Sequence, residues 1–330
     1  MTESPLLSIT ELAVTARHHR SRRTLVRDVA LSVAAAESLG LVGESGSGKS
    51  MTIKAAMRLL PTSAEAAGRI DFAGRDVMTM NRKALAQYRS RDVALIHQDP
   101  RAHVNPTRTI GQFLIEGPVA TGQLSKADAT ERACALMRDV GIADAERRMA
   151  QYPHQLSGGL LQRVMIVAAL LPEPSLIFAD EPTTALDVTV QSDVMAILLE
   201  QIRERKVAMV FVTHDLDLAA AVTDRLAVMY AGSIVETGRS SEICERPLHP
   251  YTAGLLRSRP STTDVQRMIA IPGRPVAAFE AGPGCSFAPR CPFVADRCRS
   301  EAPQRRMVAG RAVACHRVEE IVDQLEMRAS

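Results

Sequence analysis

The sequence has few of the residues that favour nucleic-acid binding and no run long enough to cross a membrane. Tryptophan is absent from the 330 residues, and aromatic residues make up 3%. The 40 basic and 37 acidic residues leave a net charge of only +3. Neither base stacking nor a basic surface therefore favours a nucleic-acid partner. Uninterrupted apolar runs of about 18 residues, which would indicate a transmembrane helix, do not occur.

The N-terminus also lacks the features of a secretory signal. The first residues, MTESPLLSITELAV, show no basic start, no apolar stretch and no small-residue cleavage site, so we expect the chain to stay in the cytoplasm. Internal repeats, low-complexity tracts and heptads are also absent. What is present is 46% hydrophobic residues, enough for one large domain or one domain with an appendage.

Short apolar runs alternate with helical patterns through about residue 245, which predicts an α/β domain around a largely parallel sheet. The predicted strands of this sheet are residues 39–42, 93–97, 176–179 and 207–213. Earlier in the chain, LSITELAVTA and LVRDVALSVA predict a pair of antiparallel strands.

The middle and the end of the chain differ in composition from this alternating pattern. Strand patterns disappear after Pro100, and helical patterns at residues 126–140 and 159–171 predict a helical subdomain over about 101–170. After Pro247 the residues shift to Pro, Gly, Arg and Cys, which indicates a separate appendage. We therefore expect a nucleotide-binding domain over residues 1–250 and a C-terminal extension over 251–330.

A phosphate-binding loop is predicted where a strand meets a helix. The residues GESGSGKS fit G-x-x-x-x-G-K-[ST], follow the apolar strand and precede a helical pattern. In such a loop the backbone N–H groups turn toward the phosphates, Lys49 reaches the β and γ phosphates, and Ser50 ligates Mg²⁺. A Gly/Ser-rich turn with a chance lysine is the alternative. The predicted nucleotide-binding residues are Gly43, Glu44, Ser45, Gly46, Ser47, Gly48, Lys49 and Ser50.

Two carboxylates end the predicted strand LIFADE. At the C-terminal edge of a parallel sheet they would face a nucleotide crevice. Asp180 is then expected to hold Mg²⁺ through water, and Glu181 to orient and polarise the attacking water. Without the phosphate-binding loop upstream, the same pair would be read as a solvated turn.

The residues YPHQLSGGLLQR, which precede the acidic pair, resemble the signature of ATP-binding cassette (ABC) ATPases. The resemblance covers residues 6 to about 240. It implies that the signature residues of one subunit, here Ser157, Gly158 and Gly159, close over ATP held by the loop of a second subunit. A hydroxyl and two glycine N–H groups at a helix start suit a phosphate, although a capped helix alone would also explain them. The next position departs from the family pattern, since it is Leu160.

The same resemblance implies the fold and further site residues. The expected fold is a P-loop NTPase (RecA-like) α/β core with an antiparallel β-subdomain and an inserted helical subdomain. Gln98 resembles the glutamine that senses Mg²⁺ and water, Leu186 and Asp187 resemble the D-loop, and His214 resembles the switch histidine near the γ-phosphate. The usual aromatic residue that stacks on adenine is not evident. His18 or His19 could replace it, although the run around them is typical of a solvated loop.

The tail resembles the C-terminal extension of ATPase subunits from oligopeptide, dipeptide and nickel importers, through RPLHPYT, IPG and a cysteine-rich segment. The resemblance implies an ATPase that drives import. Its expected partners are a second ABC ATPase subunit, forming a heterodimer in preference to a homodimer, two integral-membrane permease subunits and an extracytoplasmic solute-binding protein. It would lie peripherally on the cytoplasmic face of the bacterial inner membrane. Peptide is the expected cargo, and nickel or another small solute is the alternative.

Four of the six cysteines, Cys285, Cys291, Cys298 and Cys315, lie close together in this tail with the spacing C-x5-C-x6-C-x16-C. Four thiolates can ligate a metal centre, but the paired C-x2-C of common zinc ribbons is absent. The family tail is associated with a 4Fe-4S cluster, which we expect here. Zn²⁺ and unmetallated structural thiols remain as alternatives.

Two other function classes compete with transport. A soluble ABC ATPase of translation or DNA repair would carry two cassettes or a long coiled coil, and this sequence has one cassette and no heptads. A regulatory iron–sulfur protein with a vestigial ATP site conflicts with the intact Lys49, Ser50, Asp180, Glu181 and His214.

Overall fold

The computed structural model describes residues 4–18, 21–183, 187–258 and 270–326. The chain divides into two compact units. The first unit combines Met1–Val33, Ser38–Met78 and Val212–Ser330, and the second combines Ala34–Glu37 with Thr79–Phe211. The N-terminal strands, the phosphate-binding loop and the C-terminal extension therefore belong to one unit.

The first unit begins with a four-stranded antiparallel sheet in the order β2-β1-β4-β5. Strand β1 pairs with β2 from Leu7 opposite Val33 to His18 opposite Ser21, which confirms the predicted antiparallel pair. On β1, apolar residues at alternating positions are buried, as a sheet with one face on the core requires. The strands are β1 (Leu7–His18), β2 (Ser21–Val33), β4 (Ala64–Phe72) and β5 (Arg75–Asp76).

The first unit also contains a set of mixed strands in the order β11-β12-β10-β9-β3. Strand β3 is parallel to β9, whereas the β9–β10, β10–β12 and β11–β12 pairs are antiparallel. The strands are β3 (Ser38–Val42), β9 (Arg225–Tyr230), β10 (Ser233–Arg239), β11 (Arg306–Val308) and β12 (Arg311–Val313). The last two strands come from the C-terminal extension, so the extension adds directly to the sheet.

The helices of the first unit are short. Lys49–Ala56 follows β3, and three helices lie in or beside the C-terminal extension. The helices are α1 (Lys49–Ala56), α9 (Leu216–Val222), α10 (Ser240–Glu245), α11 (Pro250–Arg257), α12 (Asp296–Ser300) and α13 (Val318–Glu326). In α11, Pro250 occupies the first turn and the His249 side chain caps the helix by accepting from the Tyr251 N–H.

The second unit contains three strands in the order β8-β7-β6, with β6 and β7 parallel. All of β8 and nearly all of β7 are buried, because parallel strands are covered on both faces. The strands are β6 (Val93–Ile96), β7 (Leu176–Asp180) and β8 (Ala208–Thr213), the last two residues of β8 falling in the first unit.

Helices fill the rest of the second unit, and the predicted helical patterns are among them. They are α2 (Arg82–Gln87), α3 (Pro100–His103), α4 (Ile110–Ala120), α5 (Lys126–Asp139), α6 (Ala145–Met149), α7 (Gly158–Leu170) and α8 (Val188–Arg205). Helix α7 is buried on most of its surface, as its nearly continuous apolar sequence requires. None of the helices in the described part of the chain combines the length and low charge needed to cross a membrane.

The four predicted core strands are confirmed within a residue or two, but the prediction of a largely parallel sheet is too narrow. Antiparallel strands β10, β11 and β12 extend it. The β9–β10 hairpin was missed because its two-residue turn, Ala231-Gly232, lacks the Asn-Gly or Asp-Gly that marks such turns in a sequence. Ala231 and Gly232 both have positive φ, 45° and 83°, which suits the type I′ turn of a two-residue hairpin.

Candidate nucleotide site

The phosphate-binding loop lies between β3 and α1 in the first unit. Its path depends on glycine at two positions. A Cβ on Gly43 would lie 2.1 Å from the Met229 carbonyl oxygen of β9. Gly48 precedes α1 with φ +107°, a conformation that side chains disfavour. The glycines of the motif therefore permit both the close approach to β9 and the turn into the helix.

Lys49 is held inside this loop. Its side chain is 5% exposed, and Nζ donates to the carbonyl oxygens of Gly43 at 2.7 Å and Glu44 at 3.1 Å. The Ser47 hydroxyl is buried, and it has no hydrogen-bond partner within the described part of the chain. A buried cation and an unsatisfied buried hydroxyl in one loop fit a site for a phosphate group.

His214 also belongs to the first unit, immediately after β8. It is exposed, and the next residue, Asp215, caps α9 by accepting from the Asp217 and Leu218 N–H groups. The strand end and the capped helix fix the backbone on both sides of His214. Its imidazole is therefore presented to solvent from a fixed position.

The acidic pair and Gln98 lie together in the second unit. Glu181 follows β7 with φ +48°, a left-handed conformation that is rare for a residue with a side chain. Its Oε2 accepts from Gln98 Nε2 at 3.1 Å. The structure thus brings together two residues that are 83 positions apart, both predicted to act on water, and places Asp180 at the last position of β7.

The signature residues start helix α7 in the second unit. Ser157 is exposed and caps the helix, its Oγ accepting from the Leu160 N–H at 3.4 Å. A Cβ on Gly159 would lie 2.6 Å from Val190 of α8, so glycine lets the two helices approach. The Ser157 hydroxyl and the first N–H groups of a 13-residue helix are available for an anion.

Two other predicted positions are only partly described. Asp187 caps α8 by accepting from the Val190 N–H at 3.0 Å, while Leu186 lies outside the described residues. His18 is exposed at the end of β1, and His19 lies outside the described residues. The described residues of the run from Arg17 to Arg23 lie in the paired strands β1 and β2 and not in the solvated loop expected from their charges.

The four cysteines of the extension line one enclosed cavity, together with His249 and His316. Burial raises the pKa of Cys285, and it raises the pKa of Cys291 to about 11 and of Cys315 to about 12. All four are free thiols. Among the described residues, however, no group of three or more His, Cys, Asp or Glu side chains could hold a metal ion. The described side chains therefore do not form a site for a single ion such as Zn²⁺.

Contacts from the extension to the phosphate-binding loop were not predicted. Arg290 forms a bidentate ion pair with Glu44, with Nη1–Oε2 at 2.7 Å and Nη2–Oε1 at 3.1 Å. The Tyr251 hydroxyl accepts from the Glu44 N–H at 2.9 Å. The available sequence signals were the HPYT motif and an arginine beside Cys291, and neither indicates a partner 207 or 246 positions away.

Comparison with known proteins agrees with this geometry. Residues 26–184 match the ABC transporter family, and residues 235–298 match the C-terminal region of oligopeptide/dipeptide transporters. The chain is 40% identical to the oligopeptide transport ATP-binding protein OppD of Escherichia coli K12 over 96% of its own length and 95% of OppD. The chain belongs to the ABC transporter family.

Other relatives of this ABC protein carry similar names. A putative peptide import ATP-binding protein of Brucella abortus is 41% identical over 94% of this chain and 95% of its own length. The dipeptide transport ATP-binding protein DppD of E. coli K12 is 40% identical over 94% of this chain and 96% of its own length. The predictions of an ABC ATPase and of its peptide-importer family are therefore confirmed.

Solved structures confirm the P-loop NTPase fold of the ABC family. CbiO1 of Clostridium perfringens, part of the transporter complex CbiONQ, has a TM-score of 0.63 at 25% identity. The match covers 73% of this chain and 91% of CbiO1. The cassette MJ0796, solved as a dimer with ADP and phosphate, also has a TM-score of 0.63 at 24% identity, over 71% of this chain and 98% of that one.

Proposed function

We propose that this ABC protein is the ATP-binding and ATP-hydrolysing subunit of an importer for oligopeptides or dipeptides. The observation that carries the proposal is similarity to peptide transport proteins over both the cassette and the C-terminal region, 96% of the chain for OppD. The buried lysine in the glycine-rich loop and the Gln98–Glu181 contact supply the chemistry that such a subunit needs.

The loop residues 43–50 bind the phosphates in this proposal, with Lys49 on the β and γ phosphates. Ser50, Asp180 and Gln98 would hold Mg²⁺ directly or through water, and the ion would supply positive charge to neutralise the phosphates. Glu181 accepts a proton from the attacking water, and Gln98 holds the Glu181 carboxylate in place. His214 donates to the γ-phosphate from the end of β8.

The proposed assembly is a pair of ATPase subunits on two permease subunits. Ser157, Gly158 and Gly159 serve the nucleotide of the partner ATPase, because the exposed hydroxyl and helix start offer donors to phosphate. Asp187 lies in the segment that crosses to that partner. The partner is a different ATPase subunit, a solute-binding protein delivers cargo from the far side, and this chain sits on the cytoplasmic face of the membrane.

Replacing Glu181 tests the hydrolytic role. Glu181→Gln in the assembled complex should lower ATP turnover by about 100-fold or more while nucleotide still binds, because the amide cannot accept the proton of water. Glu200→Gln is the matched control, since Glu200 is exposed on α8 and should keep turnover within about twofold. Unchanged turnover in Glu181→Gln would remove Glu181 from catalysis.

The extension over residues 251–330 is proposed to be a distinct functional part, with Cys285, Cys291, Cys298 and Cys315 as ligands of a 4Fe-4S cluster. What supports this is that all four thiols line one cavity, because a four-iron cluster is held by four thiolates spread around it. Such a cluster would crosslink the extension. Iron and visible charge-transfer absorbance in anaerobically purified protein, both lost in Cys315→Ser, are the expected results. Bound zinc, or no metal at all, would contradict the cluster.

A further inference from the structure

The C-terminal extension holds the phosphate-binding loop of this chain from outside through contacts with Glu44. Glu44 is the second residue of the loop and precedes the turn that leads to Lys49. Its carboxylate, its N–H and its carbonyl oxygen each have a different partner in the structure. Two of these three partners, Arg290 and Tyr251, come from the last quarter of the chain.

The Glu44 carboxylate is paired with a guanidinium that has almost no access to water. The Arg290 side chain is 4% exposed and that of Glu44 is 24% exposed. Both guanidinium Nη atoms donate to the two carboxylate oxygens, which is the fork geometry that fixes orientation as well as distance. A pair this well covered is screened much less than a surface ion pair.

The other donors of Arg290 fix the guanidinium to the extension. Nε donates to the Pro272 carbonyl at 2.9 Å, and Nη2 also lies 3.3 Å from the Ile271 carbonyl. The guanidinium carbon lies 5.8 Å from the centroid of the Tyr230 ring at the end of β9. The IPG segment and an aromatic ring therefore set the orientation of Arg290 together with its ion pair to Glu44.

The Glu44 N–H is committed to a fully buried phenol. Tyr251 is 0% exposed, and its ring packs against Tyr230 at 4.6 Å and against Phe287 at 5.4 Å between centroids. Burial raises the pKa of Tyr251, so the hydroxyl stays protonated. Since His249 caps the helix that carries Tyr251, the HPYT motif acts as a support for the loop.

The third contact of Glu44 links this support to Lys49 of the phosphate-binding loop. Lys49 Nζ donates to the Glu44 carbonyl at 3.1 Å and to the Gly43 carbonyl at 2.7 Å. A shift of the Glu44 backbone would therefore move a hydrogen-bond partner of Lys49. A residue outside a binding site can change the affinity for a ligand without touching it, because it orients a protein group that does touch the ligand.

We propose that Arg290 and Tyr251 are positioning residues for the nucleotide, and that the C-terminal extension sets ATP affinity through Glu44. The inference rests on the proposed nucleotide site at residues 43–50. It does not depend on any metal in the extension, because the contacts run through Arg290, Tyr251 and the IPG backbone.

The test measures the Kd of the full-length chain for a non-hydrolysable ATP analogue with Mg²⁺. Arg290→Met should raise Kd by about tenfold, and Arg290→Lys, which keeps the charge but not the fork, should recover part of the loss. Tyr251→Phe removes only the hydroxyl and should raise Kd by about threefold with the aromatic packing intact. The double change of Arg290→Met with Glu44→Gln should cost less than the two single changes together.

Arg274→Met is the matched control, because Arg274 forms a bidentate pair with Glu280 in the same extension but is exposed and does not contact the loop. Its Kd should be unchanged. Thermal unfolding without nucleotide separates folding from positioning, since Tyr251→Phe should alter Kd while the protein remains folded.

Two results would overturn the inference. One is an unchanged Kd in folded Arg290→Met and Tyr251→Phe, and the other is an equal loss in Arg274→Met. Lys49→Ala distinguishes this failure from failure of the proposed site. If Lys49→Ala binds the analogue normally, the site itself is wrong; if Lys49→Ala binds poorly and Arg290→Met binds normally, only the positioning role is wrong.

Discussion

The phosphate-binding loop and the four-cysteine segment lie in the same structural unit, yet they are specified in opposite ways. In the loop, glycines at contact with β9 and before α1 fix the backbone, so a short local motif determines the geometry. In the cysteine segment, four side chains that could ligate a metal line one cavity, but no three form a group that could hold an ion. Chemical residue types alone are a weaker guide to a site than a motif that also fixes the backbone.

The two regions also differ in how charge is stabilised. The loop keeps Lys49 on backbone carbonyl oxygens, while the extension is attached to the sheet through a buried ion pair. Glu236 of β10 is 0% exposed, and it accepts from Arg311 of β12 and from the Leu248 and His249 N–H groups. The extension therefore supplies Arg311, the side chain that attaches it to Glu236 of the sheet.

The largest effect is expected from a substitution that breaks the attachment of the extension to the sheet. Arg311→Met should lower the free energy of unfolding by about 3 kcal/mol, because it leaves the buried Glu236 carboxylate without its cation. Urea unfolding of the full chain measures this. Arg306→Met on the neighbouring strand β11 removes an exposed pair with Glu319 of α13, and it should cost much less. Equal losses in the two variants would show that the buried pair is not the anchor.

The second-largest effect is expected when the lysine of the phosphate-binding loop is replaced by an uncharged residue. Lys49→Ala should weaken binding of an ATP analogue by about 100-fold, since two charge-assisted hydrogen bonds to phosphate are lost. Unfolding without nucleotide should change much less than in Arg311→Met. Lys54→Ala on the exposed face of α1 is the control, and a comparable loss of affinity there would argue against a specific role for Lys49.

The smallest expected effect is a pH dependence of stability that arises from His249, which caps the helix that carries Tyr251. Burial lowers the pKa of His249 to about 3, whereas the unfolded chain has an ordinary histidine pKa of about 6.5. The unfolded state therefore binds the proton first, and the stability from His249 is full above about pH 6.5 and declines as the pH falls. Between pH 7 and pH 5 the loss should be about 2 kcal/mol.

His249→Asn isolates this contribution, because asparagine can still cap α11 but does not titrate in this range. The difference in unfolding free energy between the original protein and the variant should shrink on going from pH 7 to pH 5. A constant difference across that range would mean that His249 is protonated in the folded protein or that its environment is not retained in solution.

Much of the candidate site could be predicted because its residues follow strand ends. Gln98, Glu181 and His214 were placed correctly at such ends, since continuous apolar runs identify buried parallel strands. The Gln98–Glu181 contact itself joins positions 83 apart. This contact was not predicted, because the order of strands in a sheet is not written in local sequence.

The C-terminal extension contains structural features that local sequence patterns could not predict. Strands β11 and β12 have three residues each, too few for alternation to be visible. The Arg290–Glu44 pair spans 246 positions, and a single arginine in a Pro- and Cys-rich segment carries no mark of its partner. Its role became evident only from its burial and from its acceptors on Glu44, Pro272 and Ile271.

The central claim is that ATP held by residues 43–50 is hydrolysed to drive peptide import. The most direct measurement is phosphate release by the complete transporter in lipid vesicles, with the solute-binding protein added empty, loaded with a short peptide or loaded with a nickel chelate. The peptide-loaded form is expected to stimulate phosphate release, and Glu181→Gln is expected to abolish the stimulation. Stimulation by the nickel chelate alone, or no response to any load, would contradict it.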